Sequence, residues 1–182
     1  MGFSYKTDKL KSDQLNQLAA SHLSERLNAD VTLVDIDRSP VEAILDQQCG
    51  VDALVQYNGA TYGAALRVQE GRNWGTFTIR TARHTGAETE LLKTKRLLKT
   101  RGALRPQLTL QAYVDKDHIA YGLAMTDKLF AWIAEQPLSS LSHLSNGADG
   151  NRFMVVDWRY LMGQPWFTTW SVKQPKLESN YE

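Results

Sequence analysis

The stretch Gly50 to Gln69, GVDALVQYNGATYGAALRVQ, constrains the fold more than any other part of the chain. Val51, Ala53 and Val55 alternate with Asp52, Leu54 and Gln56. After Asn58-Gly59, Tyr62, Ala64, Leu66 and Val68 alternate with Gly63, Ala65, Arg67 and Gln69. A side-chain period of two marks strands with distinct faces. Asn-Gly joins two such runs as a tight hairpin, because both residues tolerate positive φ. The pattern therefore commits this part of the chain to an antiparallel pair. It also sets an acid near the start of one strand, Asp52, and a cation late on the next, Arg67, within reach of one sheet face. Two readings stay open: a functional pair, or a cross-strand ion pair that contributes ~0–1 kcal/mol if exposed.

The flanking sequence supplies helices and more strands. Ser12 or Asp13 caps a helix over 14–27, whose Leu15, Leu18, Ala19, His22, Leu23 and Leu27 form one apolar stripe. His22 on that stripe reads as a packed core residue, and residues 1–11 read as loose. Val31, Leu33 and Ile36 suggest a strand, and 41–47 either a short helix or an irregular connection. Trp74 to Arg80 alternates like a third consecutive antiparallel strand. A helix is expected over 88–100, ended by Gly102, then strands over 106–114 and 119–125. Thr126 is placed to cap a helix over 127–136. Residues 139–151 read as a long loop and 153–161 as the last strand. The whole is expected to be one α+β domain over 1–182, with a mixed central sheet flanked by helices. Its core would span 12–161, and residues 163–182 would be an aromatic C-terminal extension that wraps the domain or docks on a second copy, a homodimer.

The hairpin and the order of elements resemble the PD-(D/E)xK superfamily, the restriction-endonuclease-like nucleases. That fold runs helix, three antiparallel strands, helix, strand, over roughly residues 13–125 here. Its motif acid opens the second strand and an acid-x-Lys follows on the third. GVD at 50–52 stands where the first acid belongs, and YGAALRVQ at 62–69 where the second motif belongs. The resemblance implies Mg²⁺ held by carboxylates, with the cation organising water and the scissile phosphate. It implies Asp52, Arg67 and Gln69 as catalytic residues, and Asp52 with Glu88 and Glu90 as metal ligands. Arg67 in the lysine position puts Ala65 in that of the second acid, and alanine cannot ligate a cation. Arg67 clamps a phosphate but is a poor proton acceptor. Glu70, Glu88 and Glu90 are the candidates to replace the missing acid. The resemblance thus implies either a divergent Mg²⁺ nuclease or an inactive DNA-binding relative. A non-enzymatic interaction or assembly protein on the same scaffold is the competing class.

Charge adds a second signal. The chain of 182 residues carries a net +1, yet residues 67–105 hold ten basic side chains against Glu70, Glu88 and Glu90. A cationic face near Asp52 suits a phosphate backbone, with Arg80, Arg83, His84, Lys93, Lys95 and Arg96 as candidate contacts. The plainer reading is a solvated helix face, with acids in the first turn complementing the helix dipole. Trp158, Trp166 and Trp170 read as packing or interface residues rather than base-stacking platforms. The single cysteine, Cys49, excludes an internal disulfide and a multi-cysteine zinc site. The absence of an 18-residue apolar run argues against a membrane-spanning helix, and the polar start argues against secretion, so a cytoplasmic protein is expected. No phosphate-binding glycine loop, GxSxG or HExxH is present.

Overall fold

The computed structural model describes residues 5–35, 37–83, 85–137, 142–146 and 151–173, with side chains described outside 5–11 and 142–146. In chain order the elements are α1 (Tyr5–Leu27), β1 (Asp30–Leu33), α2 (Pro40–Gln47), β2 (Ala53–Tyr57), β3 (Ala60–Glu70), β4 (Thr76–Ala82), α3 (Glu90–Lys99), β5 (Pro106–Val114), β6 (His118–Met125), α4 (Thr126–Glu135), β7 (Ser142–Asn146), β8 (Asn151–Asp157) and β9 (Phe167–Lys173). A six-stranded sheet has the order β1-β2-β3-β5-β6-β9, and a second, three-stranded sheet the order β4-β8-β7. The class is α+β, with a mixed central sheet.

The Asn-Gly turn forms as expected. Asn58 and Gly59 sit at φ 49° and 75°, and Ala53 to Tyr57 pair antiparallel with Ala64 to Ala60. β1 pairs antiparallel with β2, so the three-strand meander is β1-β2-β3. The residues expected as its third strand lie elsewhere. β3 is already hydrogen-bonded on its other edge to β5, in parallel, from Gly63–Pro106 to Glu70–Val114. With both edges of β3 occupied, β4 pairs antiparallel with β8 in the second sheet. The alternation in 74–80 is real, since Phe77 and Ile79 are buried against the central sheet. Alternation does not say which strand is the neighbour.

Local chemistry explains the other boundaries. α1 begins at Tyr5, nearer the N-terminus than expected, and stops where Asn28 takes φ 49°. Segment 40–47 resolves to a helix because Ser39 caps it, its hydroxyl accepting the Glu42 N–H, and Pro40 opens it. Thr126 is the first residue of α4 rather than its cap. Its hydroxyl lies 2.9 Å from that of Thr109, and the N-cap position, Met125, makes no side-chain cap. The segment read as a loop, 139–151, contains β7, paired with β8.

The aromatic C-terminal segment is not an appendage over its described length. β9 pairs antiparallel with β6, and Trp170 stacks on buried Tyr121 at 4.8 Å and 13°. Two cores result, one on each face of the central sheet. Against α1 lie Ala19, Leu23, Val55, Leu110, Ile119 and Tyr121. His22 joins this face, its Nδ1 2.6 Å from the Tyr121 hydroxyl. Against the second sheet and α4 lie Phe77, Ile79, Tyr113, Leu129, Val156 and Trp158. The Trp158 indole lies so close over Gly122 that a Cβ there would collide with its ring. Gly122→Ala is therefore expected to destabilise the fold by about 1–3 kcal/mol through overpacking, read as a lower urea midpoint. An unchanged midpoint would contradict this packing.

Candidate functional site

Asp52 stands just before β2, and its backbone is fixed from both sides. Its N–H donates to the Ala64 carbonyl and its own carbonyl accepts from the Val34 N–H, both at 2.9 Å. Its Oδ2 accepts the Leu66 N–H at 2.7 Å. β3 thus positions the carboxylate with backbone rather than with the Arg67 side chain, and the expected Asp52–Arg67 ion pair is not the contact Arg67 makes. By exposed area Asp52 is half-buried, but protein surrounds the carboxyl closely. Burial is the main reason its pKa is raised from the ordinary 3.8 to about 7. The Leu66 hydrogen bond opposes the rise, while Asp46 and Glu90 add to it by charge and Asp46 also by a side-chain hydrogen bond.

Arg67, three-quarters covered at the side chain, reaches Glu90 instead, with Nη1 3.5 Å from Oε2. Its guanidinium lies 4.8 Å over the Phe153 ring, and Arg80 lies 5.4 Å over the same ring. Burial lowers the Arg67 pKa, Glu90 offsets this, and Arg80 adds to it. Burial likewise raises the Glu90 pKa, against the pull of Arg67 and of the Arg80 N–H. That N–H donates to Glu90 Oε2 at 3.4 Å, so one carboxylate both pairs Arg67 and plugs an edge amide of β4.

These groups line one cavity of about 180 Å³ between the two sheets. Asp46, Asp52, Arg67, Arg83, Glu90 and Lys93 bring charge to it, and Thr78, Thr109 and Gln111 bring neutral polar groups. A second cavity of about 560 Å³ adjoins it and shares Asp46, Asp52 and Leu66. Its remaining charged lining is acidic: Asp13, Asp35 and Asp37. Asp46 and Asp52 therefore form a wall with an acidic chamber on one side and a chamber carrying three cations on the other.

Of the residues singled out from sequence, Asp52, Arg67, Glu90, Arg83 and Lys93 meet in this cavity. Lys93 is already engaged, its Nζ donating to the Gln47 carbonyl at 2.6 Å and to the Asp46 carbonyl at 3.4 Å, which closes the C-terminus of α2. Gln69 is not part of the lining. Its Oε1 accepts from Gln111 Nε2 at 3.1 Å, and Gln111 Oε1 in turn accepts from the Thr78 hydroxyl at 3.1 Å. Arg80 lies behind Phe153, with its Nε buried and without a hydrogen-bond partner among the described residues. Glu88 is not part of the lining; it is exposed and bound by two 2.9 Å contacts to Arg96, which hold its carboxyl below the ordinary range. Lys95 is exposed on α3, and His84 falls outside the described residues.

Two cavity residues escaped the sequence reading. Gln111 is buried within a strand that reads as apolar. Asp46 is an acid in the last turn of a helix, where the dipole disfavours it. That placement was the one legible sign that Asp46 is unlike an ordinary helix-surface acid.

Among the described residues, no group of three or more His, Cys, Asp or Glu side chains is arranged to hold a metal ion. Asp46 and Asp52 are the two carboxylates that both cavities share. No family model, curated protein or solved structure matches the chain significantly. No described helix is long and apolar enough to cross a membrane.

The raised Asp52 pKa fixes a sign. The folded carboxyl holds its proton more tightly than the unfolded one, so ionising it costs stability as pH rises from about 4 to about 7. Asp52→Asn keeps an oxygen to accept the Leu66 N–H and removes that cost. The variant is expected to be more stable than the parent above pH 7, on the order of 2–4 kcal/mol, and about equal below pH 4. Denaturation across pH 4–8 reads this directly, and parallel curves for the two proteins would contradict it.

Proposed function

We propose that the protein is directed at nucleic acid and belongs with divergent Mg²⁺-dependent phosphodiesterases of the PD-(D/E)xK type. The carrying observation is the wall formed by Asp46 and Asp52, with an acidic chamber behind it and Arg67, Arg83 and Lys93 in front. A cation is drawn to the acidic side and a phosphate backbone to the basic side. The connectivity supports the same reading: α1, the β1-β2-β3 meander, a crossover that includes α3, then β5 parallel to β3. The acid precedes the second strand of the meander, and a guanidinium stands on the third where the superfamily carries a lysine.

In this reading Asp52 and Asp46 hold the cation, and the proton that burial helps Asp52 to keep leaves when it binds. When bound, the cation supplies charge neutralisation at the phosphoryl group and a more acidic water. Arg67 donates to a phosphate oxygen from a fixed guanidinium, held over Phe153 and beside Glu90. Glu90 brings a carboxylate from α3 to the side of the sheet where Ala65 leaves none. Arg83 and exposed Lys95 extend the cationic surface outward.

The test couples binding to cleavage. The full chain is expected to bind Mg²⁺ or Mn²⁺ by calorimetry and to nick labelled DNA. Asp52→Asn and Asp46→Asn should each weaken cation binding at least tenfold and abolish cleavage. Arg67→Ala should leave cation binding intact and weaken DNA retention, with a shallower salt dependence. A chain that neither binds the cation nor retains DNA contradicts the proposal. Retention without cleavage, unchanged by Asp52→Asn, favours the inactive relative. One observation favours the assembly class instead. Glu90 already caps the β4 edge amide and pairs Arg67, so these charges also serve as a structural joint between the sheets.

A further inference from the structure

We propose that β9 is a self-association edge, and that two copies of the chain join through it into one continuous antiparallel sheet. The proposal is independent of the chemistry at Asp52.

Among the described residues β9 ends the central sheet, with β6 on one side only. The Met125 N–H donates to the Trp166 carbonyl at 3.0 Å, which makes that pair a hydrogen-bonded one. Alternation along an antiparallel ladder then turns the amides of Thr168, Trp170 and Val172 toward β6 and those of Phe167, Thr169, Ser171 and Lys173 outward. The Phe167 N–H is satisfied by the Gln164 carbonyl. Those of Thr169, Ser171 and Lys173 have no partner among the described residues.

Among the described residues, the edges β1 and β4 are protected in ways that β9 is not. β1 is only four residues long. β4 has the N–H groups of Thr78 and Arg80 plugged by Gln111 and Glu90. β9 is seven residues, Phe-Thr-Thr-Trp-Ser-Val-Lys, without proline and with one charge, at its end. Those are the features of an edge open to pairing.

The sequence of β9 also says what pairs with it. Set antiparallel against itself at full overlap, it places Thr169 opposite the partner's Ser171 and Phe167 opposite the partner's Lys173. Trp170 falls opposite the partner's Trp170, on the two-fold axis. That central position is a non-hydrogen-bonded pair, where side chains approach most closely and aromatic pairs stabilise a sheet. The lysines lie at opposite ends, so no like charges meet. A groove of about 390 Å³ opens beside Thr169, walled by Trp74 and Met162, which are 63% and 62% exposed. The added strand runs past its mouth and reduces that exposure.

Light scattering of the full chain is expected to give a concentration-dependent dimer. Ser171→Pro removes an outward N–H only and should give a monomer of unchanged circular dichroism. Ser171→Lys, which adds charge at the edge without altering the backbone, should do the same, while Ser171→Ala remains dimeric. Hydrogen exchange should show the Ser171 and Thr169 amides protected in the dimer and at least tenfold faster in the Ser171→Lys monomer. A full chain that stays monomeric throughout the accessible concentration range overturns the proposal. So does a dimer that survives both Ser171→Pro and Ser171→Lys, or one in which these amides exchange freely.

Discussion

β3 is hydrogen-bonded along both edges, antiparallel to β2 and parallel to β5. That double pairing governs the arrangement of the candidate site. A parallel neighbour requires a crossover, and here the crossover carries β4 and α3 over one face of the sheet. α3 delivers Glu90 and Lys93 to the face that bears Arg67, and β4 closes the cavity with Phe77, Thr78 and Ile79. Asp52 arrives from the other edge, its carboxylate held by the Leu66 amide of the same strand. A β3 paired only with β2 would leave these charges on an open surface, where water would reduce their interactions to little.

The charges are arranged as a gradient rather than as isolated pairs. Arg67 and Glu90 form a long contact of 3.5 Å, and both are pulled toward their neutral forms by burial. Burial raises the Asp52 pKa, and Asp46 pushes it the same way by charge and by a side-chain hydrogen bond. Ionising Asp52 in that setting costs stability. Around it Gln111 bridges Gln69 and Thr78, Thr109 meets Thr126, and Tyr113 meets Thr76, while Arg80 Nε is left without a partner among the described residues. A carboxyl whose pKa is raised by burial and by a like-charged neighbour distinguishes this cavity from an ordinary buried ion pair.

The strands and helices were legible wherever one face is apolar and a turn residue punctuates the run. Asn58-Gly59 fixed the hairpin, Asn28 ended α1, and Leu15, Leu18, Ala19 and Leu23 marked its buried stripe. Pairing partners were not legible. Residues 74–80 carry the alternation of a strand, but nothing local says that β3 is already occupied on both sides. β9 hid behind Trp166 and Trp170, which read as irregular because both faces of that strand are partly buried. Within the site, Asp52 and Arg67 were visible from the hairpin, and Glu90 only as one of several acids. Asp46 and Gln111 reach the cavity through tertiary packing, which periodicity does not encode.

In the proposed function the Asp52 proton, retained by burial beside Asp46, gives way to a divalent cation. Carboxyl-detected nuclear magnetic resonance titration of the full chain, with and without Mg²⁺, measures this group by group. Without the cation the Asp52 midpoint is expected near 7, and with saturating Mg²⁺ it should fall by at least one pH unit as the carboxylate becomes a ligand. An Asp52 midpoint near 4 in the absence of Mg²⁺, or one that Mg²⁺ leaves unmoved, would contradict the account.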